Sequence, residues 1–264
     1  PGPPCDRYCF IGRDPLMILK SEHEKTHIWQ DGNWQEESTS FLSILRETQK
    51  KYNAPKLSDI PHFTGGLVGF MGYESITWVE DIPIYKQDEL QCPDALFMLF
   101  HDLIAFDHLQ NQIILFSNVQ IENDMDLEQA YAYANLRIDE MGEDLHTDID
   151  YQTPARLEQS KLHSNFTQAK FEDAVQKAKE NIKAGDVFQL VLSQCFRRQT
   201  SVDPLTMCRA LRSINPSPYM FHLKLNDFDI IGASPELLVK VEDDEIEIRP
   251  IAGTRQRGEN AEAD

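Results

Sequence analysis

Residues 219–249 read YMFHLKLNDFDIIGASPELLVKVEDDEIEIR, a succession of apolar runs separated by very short polar breaks. Tyr219–Leu225, Phe228–Ile231, Leu237–Val241 and Glu245–Arg249 are rich in aromatic and β-branched residues, which marks them as strands. Asn226-Asp227 and Asp243-Asp244 leave room only for tight turns. A parallel crossover needs roughly a dozen residues or more, so these strands are antiparallel neighbours. Helices and strands elsewhere are mixed without regular βαβ alternation, and the expected fold class is α+β.

Upstream, Val187–Phe196 alternates as a strand, with Phe188, Leu190, Leu192 and Phe196 on a face that must meet the core and Gln189 on the other. A helix before it is capped by Thr167, carries the stripe Phe171, Ala174, Val175, Ala178 and Ile182, and ends at Gly185. Asp203-Pro204 opens another helix in the favoured cap-then-proline order, and Asn215-Pro216 closes it. In the first half, Arg7–Gly12 and Thr26–Trp29 read as strands and Phe41–Lys51 as a helix. Leu96–Asp107 and Gln112–Val119 are β-rich around a hairpin at His108–Asn111, and Leu127–Met141 is helical. The glycines of residues 65–74, GGLVGFMGYE, lack the strand-then-helix setting of a dinucleotide loop and point to close backbone packing. Polar residues with Pro154 make 145–165 a linker, which divides the chain into 1–144, 145–165 and 166–264.

Composition narrows the partners. With 264 residues, of which 41% are hydrophobic, the chain can bury a sizeable core. A formal charge of −19 argues against nucleic acid, and any anionic ligand needs local cations or a divalent metal to offset that field. Five scattered cysteines without a C-x-x-C pair suit neither a disulfide framework nor a zinc site. Apolar runs such as Ala95–Phe100 are too short to cross a bilayer and the first ten residues lack the apolar core of a signal peptide, so a soluble cytoplasmic protein is expected. The eight histidines are dispersed and none pairs at metal-ligand spacing.

Candidate chemistry gathers at Gln189, at Ser234-Pro235-Glu236 and in the loop after Arg249. Pro250 pushes Arg249 towards an extended conformation, and Gly253 lets backbone approach a ligand without a Cβ in the way. Thr254 adds a hydroxyl, while Arg249, Arg255 and Arg257 add donors suited to carboxylates. Glu236 is a general acid if burial raises its pKa. The prolines of NPSPYMF, residues 215–221, stiffen a corner beside Tyr219, Met220 and Phe221, which suits a preformed apolar pocket.

Read in order, RYCFIGRDP (7–15), GGLVGFMGYE (65–74), PDALFML (93–99), IKAGDVFQLVLSQ (182–194), NPSPYMF (215–221), GASPELLV (232–239) and RPIAGTRQRG (249–258) resemble the chorismate-utilising enzyme family, above all its anthranilate synthase large subunits. The resemblance implies mostly antiparallel sheets in a two-layer sandwich flanked by helices. It implies conversion of chorismate and ammonia to anthranilate and pyruvate in tryptophan synthesis, with ammonia from a glutamine amidotransferase subunit and tryptophan as feedback inhibitor.

Residue by residue, the resemblance makes Glu236, Gln189 and Thr254 catalytic positions, with Glu236 helping to expel the ring hydroxyl. Ala252, Gly253 and Thr254 become substrate contacts, and Pro218, Tyr219 and Met220 part of the tryptophan pocket. Relatives that add water carry a lysine where this chain has Gln189; aminodeoxychorismate synthases carry a nucleophilic lysine where it has Ala252. Both departures fit direct attack by ammonia. The family's upstream Leu-Leu-Glu-Ser element is missing, and its Mg2+-binding glutamates and catalytic histidine are expected beyond Asp264. The chain therefore reads as a large-subunit fragment truncated at both ends and inactive alone. The alternatives are an aminodeoxychorismate synthase, which Ala252 counts against, and a non-catalytic tryptophan-binding or interaction module.

Overall fold

The computed structural model describes residues 7–58, 60–83, 90–122, 124–148, 160–251, 253 and 256–260. The chain divides into two compact units, Pro1–Asp150 and Tyr151–Asp264. Every strand ladder among the described residues is antiparallel, and together with the helices this gives the mixed α and β architecture expected.

In the first unit, β1 (Tyr8–Gly12), β2 (Met17–Glu22), β3 (Lys25–Gln30) and β4 (Asn33–Glu37) precede helix α1 (Phe41–Lys51). Then come β5 (Gly66–Met71), a 3-10 helix over Tyr73–Trp78, β6 (Ala95–Phe100), β7 (Asp102–Asp107), β8 (Gln112–Ser117) and helix α2 (Leu127–Leu145). The strands form a five-stranded sheet in the order β4-β3-β2-β6-β5 and a three-stranded sheet in the order β1-β7-β8. The β-rich run 96–107 thus serves two sheets, and His101 is the single residue between its two strands. Such a corner lets one stretch of chain, apolar on either side of His101-Asp102, feed two sheets.

The core follows from period-two burial: Met17, Leu19 and Ser21 alternate inward along β2. Met17 and Leu19 meet Phe41 and Ile44 of α1, with Ala95 and Leu99 of β6, in one buried cluster. Gly69 is required at its place in β5, because a Cβ there would stand 1.9 Å from the Leu96 carbonyl oxygen. The close-packing reading of the glycine-rich segment rests on that contact.

Two charged clusters fasten the second sheet. Asp107, 2% exposed, accepts from Arg7 Nη2 at 2.7 Å and from the backbone N–H groups of Leu109 and Gln110 at 2.9 and 3.0 Å. The Arg7 guanidinium, with help from those N–H groups and against burial, holds the Asp107 carboxyl down to about 2. Arg137 of α2 donates from Nε to Asp102 Oδ2 at 2.8 Å and from Nη1 to Glu140 at 2.6 Å, tying the helix to β7. Asp126 caps α2 by accepting from Glu128 N at 3.0 Å and Gln129 N at 3.3 Å.

In the second unit, β9 (His163–Ser164), α3 (Gln168–Ala184), β10 (Phe196–Arg197), α4 (Pro204–Ile214), β11 (Tyr219–Lys224), β12 (Asp229–Ser234), β13 (Leu237–Glu242) and β14 (Glu245–Arg249) follow in turn. Both helix starts match expectation: Thr167 Oγ1 accepts from Lys170 N at 3.4 Å, and Asp203 Oδ1 accepts from Thr206 N at 2.9 Å with Pro204 beside it. Gly185 ends α3 at φ 85°, the left-handed conformation that suits glycine.

The strand expected over Val187–Phe196 is a correction, since only Phe196–Arg197 is paired, to His163–Ser164. An alternating pattern makes a strand only where a neighbour accepts its hydrogen bonds. Among the described residues none pairs with 187–194, and Phe188 at 94% exposure does not meet a core. Of the expected linker 145–165, Leu145 belongs to α2 and residues 149–159 lie outside the described residues.

Candidate functional site

Three of the singled-out segments meet at one end of two successive hairpins. Cross-strand pairing sets Tyr219, at the start of β11, opposite Ser234 at the end of β12. It likewise sets Leu237, at the start of β13, opposite Arg249 at the end of β14. Pro218, Glu236 and Pro250 therefore flank the same short corner, although 32 residues separate Pro218 from Pro250 in the chain. The two-residue turns set each hairpin's register, and a shift of one residue between Leu237 and Lys240 then brings Leu237 opposite Arg249.

Ser234 builds the corner. Its hydroxyl accepts from Glu236 N at 3.1 Å and lies 3.3 Å from the Glu236 carbonyl, to which it donates. That local turn turns the backbone away from β12 and leaves the Glu236 side chain exposed. The general-acid role expected of Glu236 is conditional on burial, and among the described residues its side chain is exposed.

Beyond β14, Gly253 is exposed, and a Cβ there would meet nothing within 4 Å. Among the described residues, nothing covers the face of Gly253 that a side chain would occupy. Ala252, Thr254 and Arg255 lie outside the described residues. Arg249 donates from Nε to Glu247 Oε1 at 2.6 Å, so part of its fork is already engaged by a carboxylate.

Gln189 is not brought into this corner by any strand pairing; it sits exposed in the unpaired stretch after α3. Pro218 is exposed, whereas Tyr219 and Met220 are half-buried in β11. One neighbour escaped the sequence reading: His222 Nε2 lies 2.7 Å from Asp229 Oδ1 across the β11–β12 ladder. Its signal was the two-residue Asn226-Asp227 turn, which sets His222 two places before Lys224, the partner of Asp229. The pair ties the two strands together below Met220. No group of three or more His, Cys, Asp or Glu side chains among the described residues is arranged to hold a metal ion.

The whole chain has relatives. Residues 3–264 match the family model of the chorismate binding enzymes. The chain is 35% identical over 267 residues to anthranilate synthase component 1 of Acetivibrio thermocellus, covering 98% of this chain and 53% of that protein. It is 36% identical over 272 residues to a probable anthranilate synthase component 1 of Schizosaccharomyces pombe, covering 100% of this chain and 51% of that protein. A crystal structure of anthranilate synthase component I from Streptococcus pneumoniae superimposes with a TM-score of 0.73 at 29% identity, over 90% of this chain and 52% of that one. The chain thus spans about half the length of the relatives it matches. With the match running nearly end to end of the sequence and the fold agreeing with a solved member, the chain belongs to the chorismate binding enzyme family.

Proposed function

We propose that the chain serves as part of an anthranilate synthase large subunit, in which chorismate and ammonia give anthranilate and pyruvate. The observation that carries this reading is its near-complete alignment with proteins named anthranilate synthase component 1. Ala252 and Gln189 supply the chemical support, since neither side chain offers an amine to attack the ring or a base to activate water. Ammonia then attacks the ring carbon directly, and Glu236 at the hairpin corner protonates the departing hydroxyl. Gly253 and Thr254 serve as substrate contacts, the glycine through open backbone. Pro218, Tyr219 and Met220 contribute to a pocket for tryptophan as inhibitor.

The reading further includes cytoplasmic location, a glutamine amidotransferase subunit as ammonia source, and Mg2+. The described residues contain no group suited to that ion, so no step here is routed through it. The test is to incubate the chain with chorismate, ammonium and Mg2+, both alone and joined to the segment that follows this region in its relatives. Anthranilate fluorescence should appear only in the joined protein. Aminodeoxychorismate or isochorismate as product, or no product at all from the joined protein, overturns the reading. Ala252→Lys in the joined protein should divert or abolish anthranilate formation, and indifference to that change counts against the role given to Ala252.

A further inference from the structure

Cys9 and His108 stand 99 positions apart in the sequence and side by side on the three-stranded sheet of the Pro1–Asp150 unit. The antiparallel register sets Cys9 of β1 opposite Phe106 of β7, and His108, two residues further on, falls on the same face one diagonal step away. His108 Nε2 lies 3.1 Å from Cys9 Sγ. In the Nδ1–H tautomer that nitrogen accepts the thiol proton, and a base within about 2.6–3.2 Å of a thiol is the arrangement that activates it as a nucleophile.

The surrounding backbone holds the base in place. His108 N donates to the Arg7 carbonyl at 2.9 Å, which carries the β1–β7 ladder one bond past its last paired residues. Asp107 Oδ1 accepts from Leu109 N and Gln110 N and so fixes the turn on the far side of the histidine, while Arg7 grips the same carboxylate from the β1 side. Backbone pairing and a buried carboxylate thus keep the thiol and the imidazole adjacent.

Access separates this thiol from the others. Of the four cysteines among the described residues, Cys9 is exposed, whereas Cys92, Cys195 and Cys208 are half-buried. His108 is exposed as well, and β1 is an edge strand of its sheet. Reactive thiols combine exposure with a neighbour that favours the thiolate, and buried ones are inert. We propose that Cys9 and His108 form a reversible modification site for small disulfides. Cys9 Sγ attacks one sulfur of the reagent, a Cys9–sulfur bond forms as the reagent's S–S bond breaks, and the other half leaves as a thiolate. His108 Nε2 takes the Cys9 proton and returns it to that leaving thiolate. The protein thiol is oxidised and half of the disulfide reduced, so the exchange needs no further oxidant. The site does not depend on the reaction proposed for the hairpin corner.

The test treats the 264-residue chain with cystamine, a small disulfide whose positive charges suit a protein of formal charge −19. After timed intervals the remaining thiols are blocked with N-ethylmaleimide, and the adducts are mapped by mass spectrometry of tryptic peptides. Cleavage after Arg7 and Arg13 isolates Cys9 in residues 8–13, apart from Cys5. The Cys9 adduct should form about tenfold faster than those of Cys92, Cys195 and Cys208, and dithiothreitol should remove it. His108→Gln keeps the backbone bond to Arg7 and should slow the Cys9 adduct about tenfold, leaving the other three rates unchanged. Exposure alone would give the first result and not the second. His108 is exposed, so an unchanged urea melt followed by tryptophan fluorescence certifies the variant as folded. Equal rates at Cys9 and the half-buried cysteines, or a Cys9 rate indifferent to His108→Gln, overturns the proposal.

Discussion

Gly69→Ala tests whether the antiparallel contact between β5 and β6 is as close as the geometry requires. Gly69 pairs with Phe97, and an added methyl group would lie 1.9 Å from Leu96 O and 2.6 Å from Phe97 Cα. Non-bonded carbons rest at about 3.5–4.0 Å, so the two backbones must part by about 1.5–2 Å. Rigid backbone stands on the receiving side, and no side-chain rotation relieves the clash. Overpacking of this kind costs about 1–3 kcal/mol. Stretching about two neighbouring ladder hydrogen bonds adds ~1 kcal/mol each, while the stiffer unfolded chain returns about 0.4–1 kcal/mol. The net loss expected is about 2–4.5 kcal/mol. β5 is an edge strand, so part of the strain escapes by peeling, which moves the result to the lower half of that range. All three tryptophans, Trp29, Trp34 and Trp78, lie in the Pro1–Asp150 unit, so a urea melt followed by their fluorescence reports that unit alone. Hydrogen exchange should show β5 amides losing protection before those of β2. A midpoint shift worth less than about 0.5 kcal/mol would refute the close-approach argument.

The same melt serves three further expectations. Gly142→Ala in α2 should stabilise by about 0.5–1 kcal/mol, since the nearest atom to its added methyl group would be Leu115 Cδ1 at 4.0 Å and alanine is the better helix former; destabilisation would show hidden crowding there. Arg137→Met strands the buried Asp102 carboxylate and should cost about 3 kcal/mol, with Asp102→Asn in the same chain recovering much of it; additive losses would show the two do not act as a pair. Asp107 has a folded pKa held to about 2, below its ordinary 3.8, so its contribution is complete above about pH 4 and lost as pH falls towards 2. Asp107→Asn should flatten the stability profile across that window, and an unchanged slope between pH 4 and 2 would assign acid sensitivity to other groups.

What the sequence disclosed depended on whether the deciding forces were local. Turn length, helix caps and the Gly185 terminus are short-range, and each was legible: Asn226-Asp227 and Asp243-Asp244 fixed two hairpins, and Thr167 and Asp203 cap the helices they precede. β2 is harder to see because its inward positions include Ser21, whose hydroxyl interrupts the apolar alternation. The division of residues 95–107 between two sheets has a faint local signal in the polar pair His101-Asp102, but where each half finds its partners is set by long-range pairing. The expected strand over Val187–Phe196 failed for the complementary reason, since alternation describes a strand's two faces and says nothing of whether a neighbour will pair with it.

The site carries the same division between local and long-range information, and its electrostatics sharpen the point. The arginines of residues 249–258 first suggested a cation-rich cradle, yet Arg249 is bridged to Glu247 and thereby partly neutralised. Among the described residues, what the corner offers a ligand is the exposed Glu236 carboxylate and the open backbone of Gly253. On a chain of formal charge −19, a carboxylate-bearing substrate meets repulsion there unless positive charge is brought to it. Under the proposed function, discrimination by chemistry would rest less on attraction at the corner than on which reactive groups the sequence withholds. On the proposed reading Ala252 and Gln189 matter for the amine and the base they lack, and their identities were readable from the sequence before any geometry was known.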